Sequence, residues 1–247
     1  RAAKAALFSD LKSCNMQRLA MIGCIVALVG SWLVSNHYPP WVTSHSELLA
    51  ACAAALLALA GLYCGAERIG IPVAAMFIFG LALIPLVQAS TGFLLFGGDG
   101  WIAALYLFCS GWAVLWSAHL AGRNAERLVS YLATGLLVGG LASCWIVAVQ
   151  VAGTDIGPLA LHLAGVPTGH APFGNLGQPN QLADLLSLSL AGLFVQFERR
   201  RVSLQVAIAA LVVFVVALAA TQSRTVLLFL ATSLIWYALL GSRLRFR

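Results

Sequence analysis

Long apolar runs, separated by short polar breaks, fill this chain from about residue 17 to about residue 241. A helix needs roughly 20 mainly apolar residues to cross the hydrocarbon core of a bilayer. Eight runs meet that length, at about 17–35, 47–64, 70–88, 101–120, 129–151, 179–197, 203–220 and 225–241. Backbone N–H and C=O groups find no water in hydrocarbon, so these runs are predicted to be helices. The last spans follow one another closely, which predicts two helical hairpins packed together late in the chain. There is no internal repeat and no low-complexity segment. The expected fold is therefore all-α and polytopic, a single transmembrane domain over residues 1–247 with about eight membrane-crossing helices.

The breaks alternate in charge. Every second one is basic: Arg1 to Arg18, then Arg68, then Arg123 and Arg127, then Arg199, Arg200 and Arg201, then Arg243, Arg245 and Arg247. Of the 14 Lys and Arg residues, 13 lie in these breaks and one, Arg224, does not. Short loops that keep positive charge stay on the cytoplasmic side, so both ends of this chain are expected there. Arg224 is then the single cation on the outer face, in Thr221-Gln222-Ser223-Arg224-Thr225, where topology gives it no reason to be.

Composition narrows the class further. The chain is 61% hydrophobic and 9% charged, where a soluble domain has about 25% charged residues. That excludes a soluble protein with one anchor. The net charge of +6 is the cytoplasmic excess spread over several short segments, not a nucleic-acid patch; it suits anionic membrane lipid. The six cysteines, Cys14, Cys24, Cys52, Cys64, Cys109 and Cys144, are widely spaced and mostly inside apolar runs. They read as small buried hydrophobes, with neither disulfide nor metal expected. The first apolar run continues into further spans, so no cleavable signal peptide is expected. The start at Arg1 and the end at Arg247, just past a span, read as a piece of a longer protein.

Three outer breaks are rich in polar and aromatic residues. The first holds Asn36-His37-Tyr38-Pro39-Pro40-Trp41, then His45 and Glu47; the second runs from Gly92 to Trp101 with Asp99; the third covers about 152–178 with Asp155, His162 and His170. The third ends in Gly174-Asn175-Leu176-Gly177-Gln178-Pro179-Asn180-Gln181-Leu182-Ala183, the densest polar run outside the basic breaks. Its glycines permit a tight backbone. Pro179 suits a first helical turn, where the missing N–H costs nothing. Asn180 and Asp184, four apart, share one helix face. Unpaired N–H groups at the helix start favour an anion. The result suits sugar hydroxyls or a phosphate; the alternative is a Gly/Pro turn with a polar cap.

The ten-residue amide run resembles the signature of bacterial protein O-oligosaccharyltransferases of the PglL, pilin-glycosylating type, in the superfamily of O-antigen ligases and Wzy polymerases. His37-Tyr38-Pro39-Pro40-Trp41 with His45-Ser46-Glu47 resembles that family's first outer loop. Thr221-Gln222-Ser223-Arg224-Thr225 resembles the Ser-Arg-Thr/Ala element that opens a later span. The three matches occur in family order and cover the N-terminal part of the family's length. The resemblance implies a GT-C-like fold in the bacterial inner membrane with its active face toward the periplasm. It implies an oligosaccharide donor on undecaprenyl diphosphate, an acceptor Ser or Thr on a protein such as pilin, and no cofactor or metal. In such enzymes arginines hold the diphosphate, and a His on a large later loop assists the acceptor. That loop is absent here, so no catalytic residue is assigned and these residues alone are expected to be inactive.

On that resemblance Arg224 is assigned to the diphosphate, the alternative being an Arg that snorkels to lipid phosphate. Asn175, Gln178, Asn180 and Gln181 are assigned to the donor or to shaping its pocket. The alternative for them is capping and interhelical hydrogen bonding. His37 and His45 are supporting candidates, with Tyr38 and Trp41 equally suited to the membrane interface. Asp184 is not typical of the motif and is read as a structural partner, either to Arg224 or to a neighbouring Ser. His119, His162 and His170 are read as structural or loop residues. Competing readings are an O-antigen ligase or Wzy-type polymerase, a transporter or lipid flippase, and a non-catalytic scaffold. The Gln-Pro-Asn form of the motif favours the protein ligase, and the lack of paired broken helices weighs against transport.

Overall fold

A computed structural model describes residues 2–34, 44–63, 69–153 and 170–240. The described residues form seven helices and no strand: α1 (Ala2–Leu33), α2 (Ser44–Leu62), α3 (Val73–Ser90), α4 (Gly97–Ala152), α5 (Pro179–Glu198), α6 (Leu204–Thr221) and α7 (Thr225–Leu240). His37 and its neighbours through Trp41, and also Asp155 and His162, lie outside the described residues.

Five stretches are long and apolar enough to cross a membrane: Ser13–Leu33, Ser44–Leu62, Val73–Ser90, Gly97–Ala152 and Leu204–Thr221. They carry six of the eight predicted spans, because α4 holds two. The other two predicted spans fall on α5 and α7. In α5 the run is interrupted by Asn180, Gln181, Asp184 and Gln196; α7 has an apolar stretch, Thr225–Ile235, that is shorter than a span. The protein is an all-α polytopic membrane protein. Large apolar side chains such as Val206, Val212 and Val216 are exposed along α6. In water such a surface would associate; in a bilayer it meets lipid of equal polarity.

Two element boundaries differ from the sequence expectation. Helix α1 starts at Ala2 instead of near residue 17, because a polar stretch rich in Ala, Leu and Lys leaves the hydrocarbon without leaving the helix. The basic break at Arg123–Arg127 is likewise helical, apart from Asn124 (φ −157°, ψ 77°). The Asn124 side chain accepts a hydrogen bond from the Arg127 N–H at 2.9 Å. Asn124 is thus the N-cap of a second helical arm within α4.

The chain forms two compact units, one of Arg1–Ile25 and Ala50–Val129, the other of Val26–Leu49 and Ser130–Arg247. In the first, an aromatic ladder runs through Phe79, Phe108, Trp112, Trp116 and His119. Gly61 seats the Trp116 ring, which a Cβ there would strike. His119 meets Trp116 edge-on, a packing role in keeping with the structural reading.

The core of the second unit is built from α4, α5 and α6, with Cys144, Leu182, Leu186, Leu193, Phe214 and Leu218 at its centre. Close approach needs small residues. A Cβ on Gly140 would overlap Ser189 and stand 2.8 Å from the Phe214 ring, and one on Gly192 would stand 2.9 Å from the Ala133 carbonyl oxygen. At the basic end of this unit Gln196, almost fully buried, donates to the Ser130 carbonyl at 3.1 Å and to Thr134 Oγ1 at 2.7 Å. Arg201 folds back to donate to Ser130 Oγ. These bonds fasten the start of the second α4 arm to the end of α5.

Candidate functional site

The amide run lies in the second unit, at the end opposite Arg201. Gly174 and Gly177 both take left-handed backbone, with φ of +61° and +78°, where a side chain would be strained. Gln178 is extended (φ −141°, ψ 136°), and Pro179 opens α5 at its first turn. The expected Gly/Pro entry into a helix is therefore the observed one.

Each amide faces a different way. Asn175 is buried, and its Nδ2 donates to the Leu33 carbonyl, one of the unpaired carbonyls at the C-terminus of α1. Its Oδ1 is buried without a hydrogen-bond partner among the described residues. Gln178, Asn180 and Gln181 are exposed at the start of α5. Asn180 Oδ1 accepts from Ser223 Oγ at 2.8 Å. That bond joins the amide run to the Ser-Arg-Thr element 43 residues away.

The second element is an ordered turn between α6 and α7. Helix α6 ends on Gln222, a non-glycine residue held left-handed (φ 51°, ψ 22°). The Ser223 N–H donates to Thr221 Oγ1 at 3.3 Å, and Ser223 Oγ accepts from the Thr225 N–H at 3.2 Å. Ser223 Oγ also lies 2.8 Å from Thr225 Oγ1. Arg224 follows, exposed. Its side chain has no hydrogen bond or ion pair among the described residues, so its fork of donors is open to an outside acceptor. Asp184 is half-buried one turn into α5, and it pairs with neither Arg224 nor a Ser among the described residues. His45 is exposed in the first turn of α2, and His170 is exposed just before the amide run.

Below the turn an apolar groove of about 660 Å³ descends between α5, α6 and α7. Gln222 and Ser223 stand at its polar end, and Leu190, Val215, Val226 and Leu230 line its length. An extended apolar chain fits such a groove along the helices, and Ser223 joins its polar end to Asn180.

Sequence reasoning missed Gln150. Its Nε2 donates to the Gly174 carbonyl at 2.8 Å, and its Oε1 accepts from the Gly174 N–H at 2.9 Å. The signal was a lone amide at the end of an otherwise apolar span, too weak to single out without the fold.

Residues 172–194, the amide run and most of α5, match the model of the protein glycosylation ligase family. A general O-oligosaccharyltransferase of Acinetobacter baylyi is 27% identical over 226 residues, covering 87% of this chain and 37% of that protein. This chain thus spans well under two thirds of that relative's length. No solved structure matches it. The family match falls on the amide run that meets Ser223, and both comparisons are similarities to glycosylation ligases and O-oligosaccharyltransferases.

Proposed function

We propose that this chain is part of an inner-membrane enzyme that moves an oligosaccharide from undecaprenyl diphosphate to a Ser or Thr hydroxyl of a periplasmic protein such as pilin. One observation carries the reading. The amide run and the Ser-Arg-Thr turn meet through Asn180 and Ser223 at the polar end of an apolar groove, beside an exposed Arg224. A lipid-linked diphosphate has the matching parts: an apolar tail, two phosphates and sugar hydroxyls. The acceptor oxygen bonds to the first sugar's anomeric carbon, the bond from that carbon to the diphosphate breaks, and the hydroxyl proton leaves to a base. The negative charge that builds on the departing diphosphate is where Arg224 contributes. Gln178, Asn180 and Gln181 present neutral donors and acceptors to the head group. Asn175, being buried, acts by fixing the loop that carries them. The family resemblance calls for no metal.

A protein acceptor is favoured over an O-antigen or a growing polymer by the match of residues 172–194 to the protein glycosylation ligase family. The test uses the complete ligase in membranes supplied with lipid-linked glycan. Arg224→Ala is expected to lower transfer roughly ten- to a hundredfold, the scale of a lost hydrogen bond to a charged group. Arg224→Lys should recover part of it, keeping charge without the bidentate fork. The loss should be equal for every acceptor protein, because the donor is shared. Full transfer by a stably inserted Arg224→Ala enzyme would remove Arg224 from the mechanism.

A further inference from the structure

We infer that Gln150 is a positioning residue for donor binding, a two-point clamp that sets the backbone of the amide run from the end of α4. The inference rests on the transferase reading above. The geometry is specific. One carboxamide meets both backbone groups of one residue, with Nε2 on the Gly174 carbonyl at 2.8 Å and Oε1 on the Gly174 N–H at 2.9 Å. Only a side chain with a donor and an acceptor on one planar head makes both bonds. Glycine is required at the clamped residue, whose φ is +61°.

The clamp stands where the chain most needs one. Helix α4 ends beside it, with Gly153 left-handed and its N–H turned toward the Gln150 carbonyl. The clamp spans 24 residues of sequence, so it closes a long loop whose ordering entropy must be met somewhere. The next residue, Asn175, is fastened to the end of α1. Downstream, Asn180 is fastened to Ser223. Gln150 is therefore the upstream anchor of the run that carries Gln178, Asn180 and Gln181, and it acts through Gly174.

Chemistry supplies a test that a merely structural role would not pass. In Gln150→Glu a carboxylate presents two acceptors, so the Gly174 carbonyl loses its donor and faces a lone pair instead. Protonated, the same side chain has one O–H donor and one acceptor, and both bonds return. In the complete ligase, Gln150→Glu should transfer glycan roughly tenfold less than wild type at pH 7.5, with the ratio to wild type rising several-fold at pH 5.5. Dividing by wild type at each pH removes the pH response of the unaltered enzyme. The main change should be in KM for the lipid-linked donor. Gln150→Ala should be low at both pH values, and proteinase K should cut its chain at Phe173 several-fold faster. A Glu-to-wild-type ratio that is flat with pH, or wild-type cleavage of Gln150→Ala, would overturn the clamp. If the clamp variants behave as expected toward protease but wild-type ligase transfers nothing, it is the transferase reading that fails. The protease arm does not read activity, so the two failures are distinct.

Discussion

Asn180 and Ser223 are the residues through which two distant signatures become one site. The bond between them is a neutral hydrogen bond at an exposed position, so its net worth to folding is only about 0.5–1.5 kcal/mol. Its larger effect should be on geometry, because Ser223 also accepts from the Thr225 N–H and so fixes the turn that presents Arg224. A double-mutant cycle separates the two contributions. Asn180→Ala and Ser223→Ala should each reduce transfer, and the double variant should lose clearly less than the product of the single losses. Strict multiplicativity of the two losses would mean that the elements act independently. At this scale the sequence was legible where a residue type has one conformational use, as Gly174, Gly177 and Pro179 do. It was illegible where a partner must be known. Asp184 could have paired with Arg224 by spacing and charge, yet the two make no ion pair among the described residues. Gln150 gave no sign of its partner 24 residues away.

The helices show a second kind of legibility. Hydropathy marks where a chain enters and leaves hydrocarbon, so the predicted α5, α6 and α7 agree closely with the observed Pro179–Glu198, Leu204–Thr221 and Thr225–Leu240. It does not mark where a helix ends. Residues such as Lys4, Lys12 and Arg127 continue a helix comfortably outside the membrane, which is why α1 begins early and α4 runs through its basic break. Packing within the elements depends on small residues that hydropathy overlooks. Gly140→Ala forces a methyl group into Ser189 and the Phe214 ring, and overpacking of this kind costs about 1–3 kcal/mol. The variant should melt at lower temperature in detergent. Gly122→Ala is the control, since a Cβ there meets nothing within 4 Å and alanine is the better helix former. Equal melting temperatures for the two variants would refute the close packing of α4 on α5 and α6.

At the scale of the whole chain, the second unit has a polar tie at each end of its helices. In the second unit Ser130 and Arg201 are tied at one end, and Gln150, Gly174, Asn180 and Ser223 at the other. From Ser130 to Gln150 the helix rises about 30 Å at roughly 1.5 Å per residue, the thickness of a bilayer core. The charge pattern predicts that the Arg201 end faces the cytoplasm. In a cysteine-free background, Gly98→Cys should react with an impermeant reagent added outside intact spheroplasts, and Arg200→Cys only after permeabilisation. The reverse labelling would invert the topology and move the amide run to the cytoplasmic face.

Gln222 has a consequence for anyone who redesigns this chain. A left-handed non-glycine residue carries a backbone cost of about 1–2 kcal/mol, and stability-guided design answers that cost with glycine. Here the exchange would ease the end of α6 and delete the carboxamide at the mouth of the groove. The variant that ranks best on thermal tolerance would then be the one stripped of a polar group at the proposed donor site. Position 222 should therefore be frozen in any stabilisation campaign, and gains sought on the lipid-facing side of α6 instead.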